Sequence, residues 1–276
     1  MDKIKKTLNS HPILFRTAKK LYRGIIIPLK TGYYPFYLFY QLFVRQKEVS
    51  SLENLQFSNV MPFEPHTWRY GRGKDKAFRR YYTAYQNGIK YFVKIATKND
   101  SSVQNEIEIQ TVLSKKEYDW TPTCIMAEKN FCKNMSVLIV KYEKGLRKFE
   151  LPSTKEAFNK LCLKFVRILD DLYAIKVVHS DIHAGNLMLD LDNNLHLLDF
   201  GISKFIDMGN DVNYLARPGT FYRNTKNKRI YDDAYSFVCL MDRIGLPTEW
   251  KDEAYYLEIK KRINRCCNVV LMEQSK

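Results

Sequence analysis

In the first half of this chain, apolar and polar residues alternate over short segments, as they do in β-strands. Short apolar runs fill residues 63–96, and Gln86-Asn87-Gly88 lies between two of them. Asn-Gly is a strong signal for a two-residue hairpin turn. Two further apolar runs, 124–127 and 137–140, predict more strands. The pattern therefore predicts an antiparallel sheet before residue 141.

Other segments of the chain have apolar residues at helical spacing. A helix is predicted over residues 101–115, and it starts within the polar stretch 99–102, which is typical of a helix start. The clearest amphipathic helix covers 155–174, with Ser153 or Thr154 as its cap. Its apolar residues recur every three or four positions: Phe158, Leu161, Cys162, Phe165, Leu169 and Leu172.

The stretch 177–203 places polar side chains around two short apolar runs. Residues 187–189 and 195–198 flank an Asp/Asn-rich turn, which predicts a β-hairpin. Asn186 follows Asp181 by five residues and Asp199 follows it by eighteen. A hairpin brings the loop before its first strand close to the residues after its second, so these three side chains should converge. Carboxylate and amide oxygens are ligands that suit Mg²⁺.

The motifs His179-Ser180-Asp181, with Asn186 five residues on, and Asp199-Phe200-Gly201 resemble the catalytic loop and metal-binding turn of the protein-kinase-like superfamily. This resemblance implies that Asp181 is the catalytic base that orients an acceptor hydroxyl. It implies that Asn186 and Asp199 hold Mg²⁺ beside ATP. It also implies that Asp233 begins a helix that braces the catalytic loop, and that 217–222 ends an activation segment.

Lys94 lies in the apolar run 91–96. An ammonium that faces inward from such a strand needs an anionic partner, and the resemblance implies that it binds the ATP phosphates. Either Glu106 or Glu108 could pair with it. We favour Glu106, because Asn105-Glu106-x-x-Ile109 is similar to the kinase helix that carries this glutamate.

Two further parts of an ATP site are implied by the resemblance. Gly71 and Gly73 would form a glycine loop, although Lys76 stands where a third glycine is usual, and a solvated turn is the alternative. Residues 141–145 resemble a kinase hinge. There, Lys141 and Tyr142 would offer backbone donors and acceptors to adenine.

Composition narrows the class of protein. The 276 residues are 45% apolar and 27% charged, which is typical of a globular chain with a core. The net charge of +15 favours polyanionic partners. The six cysteines form no CxxC pair, which favours free thiols in a reducing compartment. No secretory signal is evident, so we expect a cytoplasmic protein.

The first 58 residues are unlike a kinase lobe. Eight cations in the first thirty residues are opposed only by Asp2, and an aromatic-rich run follows at 33–44. That run is shorter than the about 20 apolar residues that span a bilayer. Aromatic rings flanked by cations suit a membrane interface. The alternative is a helical pair packed on the kinase body, and no nucleic-acid-binding motif is present.

Together, these patterns and the resemblance predict an α+β chain with a bilobal protein-kinase-like fold: a small antiparallel β-sheet N-lobe and a mainly helical, shortened C-lobe. The expected divisions are 1–58 for the basic extension, 59–145 for the N-lobe and hinge, and 146–276 for the C-lobe. Seventy-five residues follow Gly201, which is the basis for expecting a shortened lobe.

Three departures bear on the acceptor. Ser180 stands where regulated protein kinases carry arginine, no Ala-Pro-Glu triplet follows, and the lobe that normally shapes a peptide-binding groove is shortened. In addition, Asp181-x-His183-x-Gly185-Asn186 is similar to the loop of small-molecule and glycan kinases. His183 has either a structural hydrogen-bonding role or a substrate contact. Ubiquinone-linked atypical kinases share this loop, but the absence of their Lys-x-Gly-Gln motif counts against them.

The leading expectation is a kinase similar to the bacterial lipopolysaccharide core kinases. It would use ATP and Mg²⁺ to phosphorylate a sugar hydroxyl of an anionic glycolipid at the cytoplasmic face of the inner membrane. The alternative is a Ser/Thr protein kinase, and a third reading is a pseudokinase scaffold.

Overall fold

The structure, a computed structural model, describes residues 34–63, 80–132, 134–205 and 232–263. The chain divides into two compact units, Met1–Phe57 and Ser58–Lys276. The expected glycine loop, with Gly71 and Gly73, lies outside the described residues. So do the basic stretch 1–33 and the expected activation-segment end at 217–222.

Helix α1 (Tyr34–Asn54) is the described part of the first unit, together with the turn that ends it. The amides of Leu55 and Phe57 return to the Leu52 carbonyl, and Gln56 between them has a φ of 66°. Phe43 on this helix is exposed, with the Lys47 ammonium 4.0 Å from its ring centroid. In the ranges that the structure describes, no helix combines the length and the apolar character that crossing a bilayer needs.

A five-stranded antiparallel sheet begins the second unit. Its strands are β1 (Ser58–Pro62), β2 (Arg80–Gln86), β3 (Ile89–Thr97), β4 (Cys124–Cys132) and β5 (Met135–Lys141), in the order β1-β2-β3-β5-β4. Gln86 pairs with Ile89 around Asn87 and Gly88, whose φ values are 52° and 77°. Both values are positive, as a two-residue hairpin turn requires, so the predicted hairpin is confirmed.

Helix α2 (Ser101–Leu113) crosses the sheet and ends two residues before its predicted end. The Asp100 carboxylate caps it by accepting hydrogen bonds from the amides of Ser102 and Val103. The helix packs its apolar side against the sheet in a small cluster of Ala96, Val103, Ile107 and Leu138. Glu106 is buried on this helix, so its carboxylate is held close to the sheet.

The helical part of the second unit is built on α3 (Lys155–Ala174), with α4 (Asp233–Arg243), a 3₁₀ turn (Thr248–Trp250) and α5 (Ala254–Lys261). Thr154 caps α3 through its hydroxyl, which accepts the Ala157 amide. The predicted apolar stripe faces the core, where Phe165 stacks on Phe237 with ring centroids 4.0 Å apart.

Short strands carry the functional loops across this helical core. Strands β8 (Leu187–Leu189) and β9 (Leu195–Leu197) form the predicted hairpin, joined at its edge by β6 (Arg147–Lys148). Strand β7 (Val177–Val178) pairs with β10 (Lys204–Phe205). The Asp190 carboxylate closes the hairpin turn by accepting the amides of Asp192 and Asn194. The α+β, kinase-like fold expected from the sequence is confirmed.

Candidate active site

Lys94 points from the central strand β3 toward helix α2 and is 6% exposed. Its ammonium nitrogen lies 2.5 Å from Glu106 Oε2 and 3.8 Å from Asp199 Oδ1. Burial by itself lowers the pKa of this lysine, but the charges of Glu106 and Asp199 outweigh it and raise the pKa above its usual value. Lys94 therefore stays charged at neutral pH. Its ammonium links strand β3 to Glu106 on helix α2 and to Asp199 in the turn that the sequence predicts to bind metal.

Glu106 is the residue that meets Lys94, as the sequence favoured. It lies on the buried side of α2 and is 5% exposed. Glu108, the alternative, lies on the outer side and forms an exposed ion pair with Lys129. The helical turn separates the two glutamates, because residues two apart point in different directions.

The catalytic loop is held from below by Asp233, the first residue of α4. The two oxygens of its carboxylate accept hydrogen bonds from the amides of His179, at 2.7 Å, and Ser180, at 3.0 Å. Burial raises the pKa of Asp233 to about 7, although both amide bonds oppose that rise. This bracing contact is the one that the kinase resemblance implied.

His179 fixes the loop from within. Its Nε2 lies 3.0 Å from the Leu198 carbonyl, and its Nδ1 lies 3.3 Å from the Asp181 amide. The first contact requires a proton on Nε2 and the second a lone pair on Nδ1, which defines a neutral ring. Burial lowers the pKa of His179 to about 4. The neutral ring thus links the carbonyl of Leu198, the residue before Asp199, to the backbone amide of Asp181.

Asp181 and Asn186 are joined by hydrogen bonds. The Asn186 side-chain nitrogen donates to the Asp181 carbonyl at 3.0 Å and to its Oδ2 at 3.2 Å. Because its side-chain nitrogen faces Asp181, the side-chain amide oxygen of Asn186 points away from Asp181. The Leu198 amide also donates to the Asn186 carbonyl at 2.9 Å, so Asn186 lies beside the start of the Asp199 turn. The predicted convergence of Asp181, Asn186 and Asp199 thus follows from a continuous set of contacts.

Asp199 presents its carboxylate at the surface of this cluster. Its side chain is 54% exposed, and Oδ1 accepts the Gly201 amide at 3.3 Å. Its φ of 62° is in the left-handed region. Aspartate tolerates that region better than branched residues do, and such backbone positions are common at functional sites.

The donor set fits a magnesium ion. The Asn186 amide oxygen and the Asp199 carboxylate are hard oxygen ligands, and Mg²⁺ in such sites is bound by one or two protein oxygens, with water and substrate phosphates completing its shell. Within the described ranges, no group of three or more His, Cys, Asp or Glu side chains could hold a metal on its own. A nucleotide-dependent magnesium site agrees with both observations.

His183 adopts the hydrogen-bonding role that was one of its two predicted roles. Its Nδ1 accepts the Gly185 amide at 2.9 Å, and its Nε2 lies 3.6 Å from Asp181 Oδ2. A Cβ at position 185 would lie 2.8 Å from His183 Cε1, so the ring occupies the space that only glycine leaves. The hydrogen-bonding contact with Asp181, although long, raises the pKa of His183 above its usual value.

The expected hinge offers fewer donors than the sequence suggested. The Lys141 amide donates to the Thr123 carbonyl at 2.8 Å, and the Tyr142 amide donates to the Lys90 carbonyl at 3.0 Å. Strand pairing therefore uses both amides, which corrects the expectation that they would serve as donors to adenine. Lys90 also places its ammonium 4.4 Å from the centroid of the Tyr142 ring.

Sequence reasoning missed three polar residues that organise the site. Asn105 on α2 donates to the carbonyls of Phe200 and Ser203, and the Ser203 hydroxyl donates to the His179 carbonyl at 2.9 Å. Ser102 on the same helix lies directly against Gly201. The contacts of Asn105 and Ser102 join residues about one hundred positions apart, and no local pattern signals them.

Comparison with known proteins gives an independent result. A family model described as the ABC1 atypical kinase-like domain matches residues 129–229. The likeness covers just over a third of the chain, and the Lys-x-Gly-Gln motif that counted against an atypical kinase is absent from the sequence. The catalytic loop and the Asp199 turn both lie inside the matched range.

Several named protein kinases resemble part of the chain. The serine/threonine-protein kinase 10 of Xenopus tropicalis is 30% identical over 145 residues, which is 47% of this chain and 14% of that protein. A probable serine/threonine-protein kinase of Dictyostelium discoideum is 25% identical over 172 residues, 60% of this chain and 12% of that protein. The chain thus spans well under a fifth of the length of these relatives. The fold, the site and the comparisons agree that this part of the chain is similar to the kinase domains of these proteins.

Proposed function

We propose that this protein is an ATP-dependent kinase that transfers the γ-phosphoryl group to a hydroxyl. The observation that carries the proposal is the position of Lys94, whose ammonium lies between the carboxylates of Glu106 and Asp199. A buried cation with one exposed anionic neighbour is suited to receive the phosphates of a nucleotide together with a metal ion. A purely structural ion pair would not need the half-exposed Asp199 carboxylate.

Each residue has a part in this reaction. Lys94, oriented by Glu106, would donate hydrogen bonds to the phosphates. Asp181 would orient the acceptor hydroxyl and take its proton, with Asn186 fixing the carboxylate. The Asn186 amide oxygen and the Asp199 carboxylate would hold Mg²⁺, which supplies charge neutralisation when bound. Positioning and electrostatic stabilisation account for most of the acceleration in this class of reaction.

Adenine would be read by the hinge backbone. Since the amides of Lys141 and Tyr142 are engaged in the sheet, the Lys141 carbonyl is the acceptor that we assign to the adenine amino group. Among the described residues, the Glu143 amide donates to no backbone carbonyl, so we assign it as the donor to the ring. The donor that we assign is thus one residue beyond Tyr142, the second of the two donors that the sequence suggested.

For the acceptor we propose a sugar hydroxyl of a lipopolysaccharide core or related anionic glycolipid. The net charge of +15 would attract a phosphorylated glycan. Ser180 supports this choice, because an arginine at its position is what docks a phosphorylated activation segment in regulated protein kinases. The basic stretch 1–33 and the aromatic residues after it would hold the protein at an anionic membrane surface.

A Ser/Thr protein acceptor is the second candidate. The printed names of the similar proteins favour it, since those of Xenopus tropicalis and Dictyostelium discoideum are serine/threonine-protein kinases. That name applies to the whole relatives, of which this chain covers a small part.

The deciding experiment offers labelled ATP to the protein with purified core glycolipid in one tube and a mixed protein pool in another. We expect label on the glycolipid. Label only on protein would establish the second candidate, and nucleotide binding without transfer would leave a pseudokinase scaffold. Asp181→Asn should lower transfer by about 10²–10⁴-fold, and Asp199→Asn should abolish Mg²⁺-dependent turnover. Asp192→Asn, the same charge change on the exposed hairpin turn, is the control.

Membrane association has its own test. Binding of the protein to vesicles with anionic lipid should fall as salt rises, because a Debye length shrinks from about 10 Å at 0.1 M salt to about 3 Å at 1 M. Replacing Lys5 and Lys6 by glutamine should weaken binding further. Equal partitioning of both proteins into anionic and neutral vesicles would contradict an electrostatic membrane contact.

A further inference from the structure

Asn105 is the residue before Glu106 on helix α2, and its side chain reaches the metal-binding turn. Its amide nitrogen lies 3.0 Å from the Phe200 carbonyl and 2.7 Å from the Ser203 carbonyl. Both partners are carbonyl oxygens, which only accept hydrogen bonds. The side-chain nitrogen must therefore be the atom that faces them, and the orientation of this amide is fixed by its partners.

A second contact joins the same helix to the same turn. Ser102, one turn earlier on α2, lies so close to Gly201 that a Cβ at position 201 would overlap its hydroxyl oxygen. Asn105 holds the turn by two hydrogen bonds, and the Ser102–Gly201 contact limits how closely the two segments approach. Helix and turn are thus fixed in relation to each other at two points.

Asn105 and Glu106 project from α2 in directions about 100° apart, because they are consecutive residues of a helix. Glu106 faces Lys94, and Asn105 faces the residues directly after Asp199. The contacts close a ring, since the Lys94 ammonium lies 3.8 Å from Asp199 Oδ1. A shift of the helix away from the turn would therefore displace the phosphate-binding lysine and the metal-binding aspartate relative to each other.

We propose that Asn105 is a positioning residue that couples the Lys94–Glu106 pair to the Asp199 turn. Its two acceptors are main-chain carbonyls, so this coupling needs no phosphate group and no modified side chain. Asn105 itself touches none of the reacting atoms. The proposal rests on the proposed kinase function for its catalytic consequence, whereas the coupling itself is a property of the free protein.

The chain offers a matched pair of substitutions. Asn105→Asp replaces the donor nitrogen by an oxygen and sets a carboxylate against two carbonyls. Gln104→Glu makes the same change in charge and shape at the adjacent helix position. Gln104 donates to the Ser136 hydroxyl at 2.5 Å, and that hydroxyl donates to the Lys129 carbonyl at 2.8 Å. In Gln104→Glu the hydroxyl can donate to the new carboxylate by giving up the carbonyl, a change that lies away from the Asp199 turn. Effects of charge on the helix and on the whole protein are therefore the same in both variants.

The first measurement is amide hydrogen exchange of the full chain without nucleotide. In Asn105→Asp, peptides covering 199–205 should exchange about tenfold faster or more, since two hydrogen bonds are lost and a repulsion is added. The hairpin 187–197 should keep its protection in both variants, which separates a local effect from unfolding. Gln104→Glu should leave 199–205 unchanged. Equal exchange at 199–205 in Asn105→Asp and the parent, or equal acceleration in both variants, would overturn the proposal.

The second measurement is steady-state kinetics with the acceptor that the parent uses. If ATP binding selects the coupled arrangement, the KM for ATP should rise up to about tenfold in Asn105→Asp while kcat changes less. Asn105→Ala, which removes the donor without repulsion, should show a smaller rise in the same parameter and serves if the aspartate variant fails to fold. An inactive parent would refute the proposed function and leave the exchange test valid. An active parent with an unchanged KM in both Asn105 variants would refute the coupling.

Discussion

The buried pair of Lys94 and Glu106 predicts an asymmetric response to removing either partner. In Lys94→Met, the Glu106 carboxylate stays buried after the ammonium that it faces has been removed. In Glu106→Gln, Lys94 keeps the Asp199 carboxylate at 3.8 Å, and the glutamine oxygen can still accept a hydrogen bond from it. The lysine substitution should therefore destabilise the fold more than the glutamate substitution does.

The expected magnitudes follow from these distances. Breaking a buried ion pair by removing one partner costs about 3–5 kcal/mol, which we expect for Lys94→Met. Two charges at 3.8 Å attract by about 4 kcal/mol at an effective dielectric constant near 20. Solvent screens the half-exposed Asp199, so only part of that attraction is realised. We expect Glu106→Gln to cost about 1–2 kcal/mol, the range of a single weakened hydrogen bond to a charged group.

The double variant makes the test specific. Lys94→Met with Glu106→Gln replaces the two charges by an apolar chain and a neutral amide, so it should be about 1–3 kcal/mol more stable than Lys94→Met alone. Urea unfolding followed by tryptophan fluorescence gives the three free energies, with equal m-values as the control. Equal costs for the two single variants, or a double variant whose cost is their sum, would refute the argument that Asp199 remains as a partner of Lys94 when Glu106 is replaced.

Three further predictions concern single contacts of the site. His179 is neutral in the fold, with a pKa lowered to about 4 against about 6.5 when unfolded. Its contribution to stability is therefore complete above pH 6.5, and about 3 kcal/mol of it is lost as the pH falls to 4. His179→Gln should reduce that acid destabilisation in unfolding measurements at pH 7 and 4.5, and an unchanged pH response would contradict this prediction. Gly201→Ala should lower the melting temperature because its Cβ would overlap the Ser102 hydroxyl, and adding Ser102→Ala should recover part of the loss, whereas strictly additive effects would exclude that contact. Gly185→Ala should displace the His183 ring and lower phosphoryl transfer with little change in the KM for ATP, and an unaltered kcat would show that the ring position has no effect on Asp181.

Local pattern was sufficient for most of the fold because the deciding interactions are close in sequence. The Asn87-Gly88 turn determines the β2–β3 hairpin by its two positive φ values, and the stripe of 155–174 repeats with the helical period. The choice of Glu106 over Glu108 came from the resemblance of Asn105-Glu106-x-x-Ile109 to a kinase helix, which is also a local motif.

The parts that the sequence did not reveal depend on contacts between distant segments. Asn105 reads as an ordinary polar helix residue, because its acceptors are main-chain carbonyls that carry no side-chain signal. The hinge was misjudged for a related reason. Whether the amides of Lys141 and Tyr142 face a ligand or a neighbouring strand depends on the register of β3, β4 and β5, and pairing gives both amides to the sheet.

Two non-glycine residues of the site, Ser180 and Asp199, have left-handed backbones with φ values of 66° and 62°. Each such residue costs about 1–2 kcal/mol, less for a short polar side chain. The fold holds both in place through neighbouring hydrogen bonds: Asp233 accepts the Ser180 amide, and Asn105 binds the carbonyl that follows Asp199. One strained residue precedes Asp181, the base that we propose, and the other is Asp199, the metal-binding residue that we propose. The contacts that brace them come from two different helices, α4 and α2. Two helices therefore maintain the geometry that the proposed phosphoryl transfer needs. For this reason, substitutions at Asn105 and Asp233 should affect the site although neither residue contacts the reacting atoms.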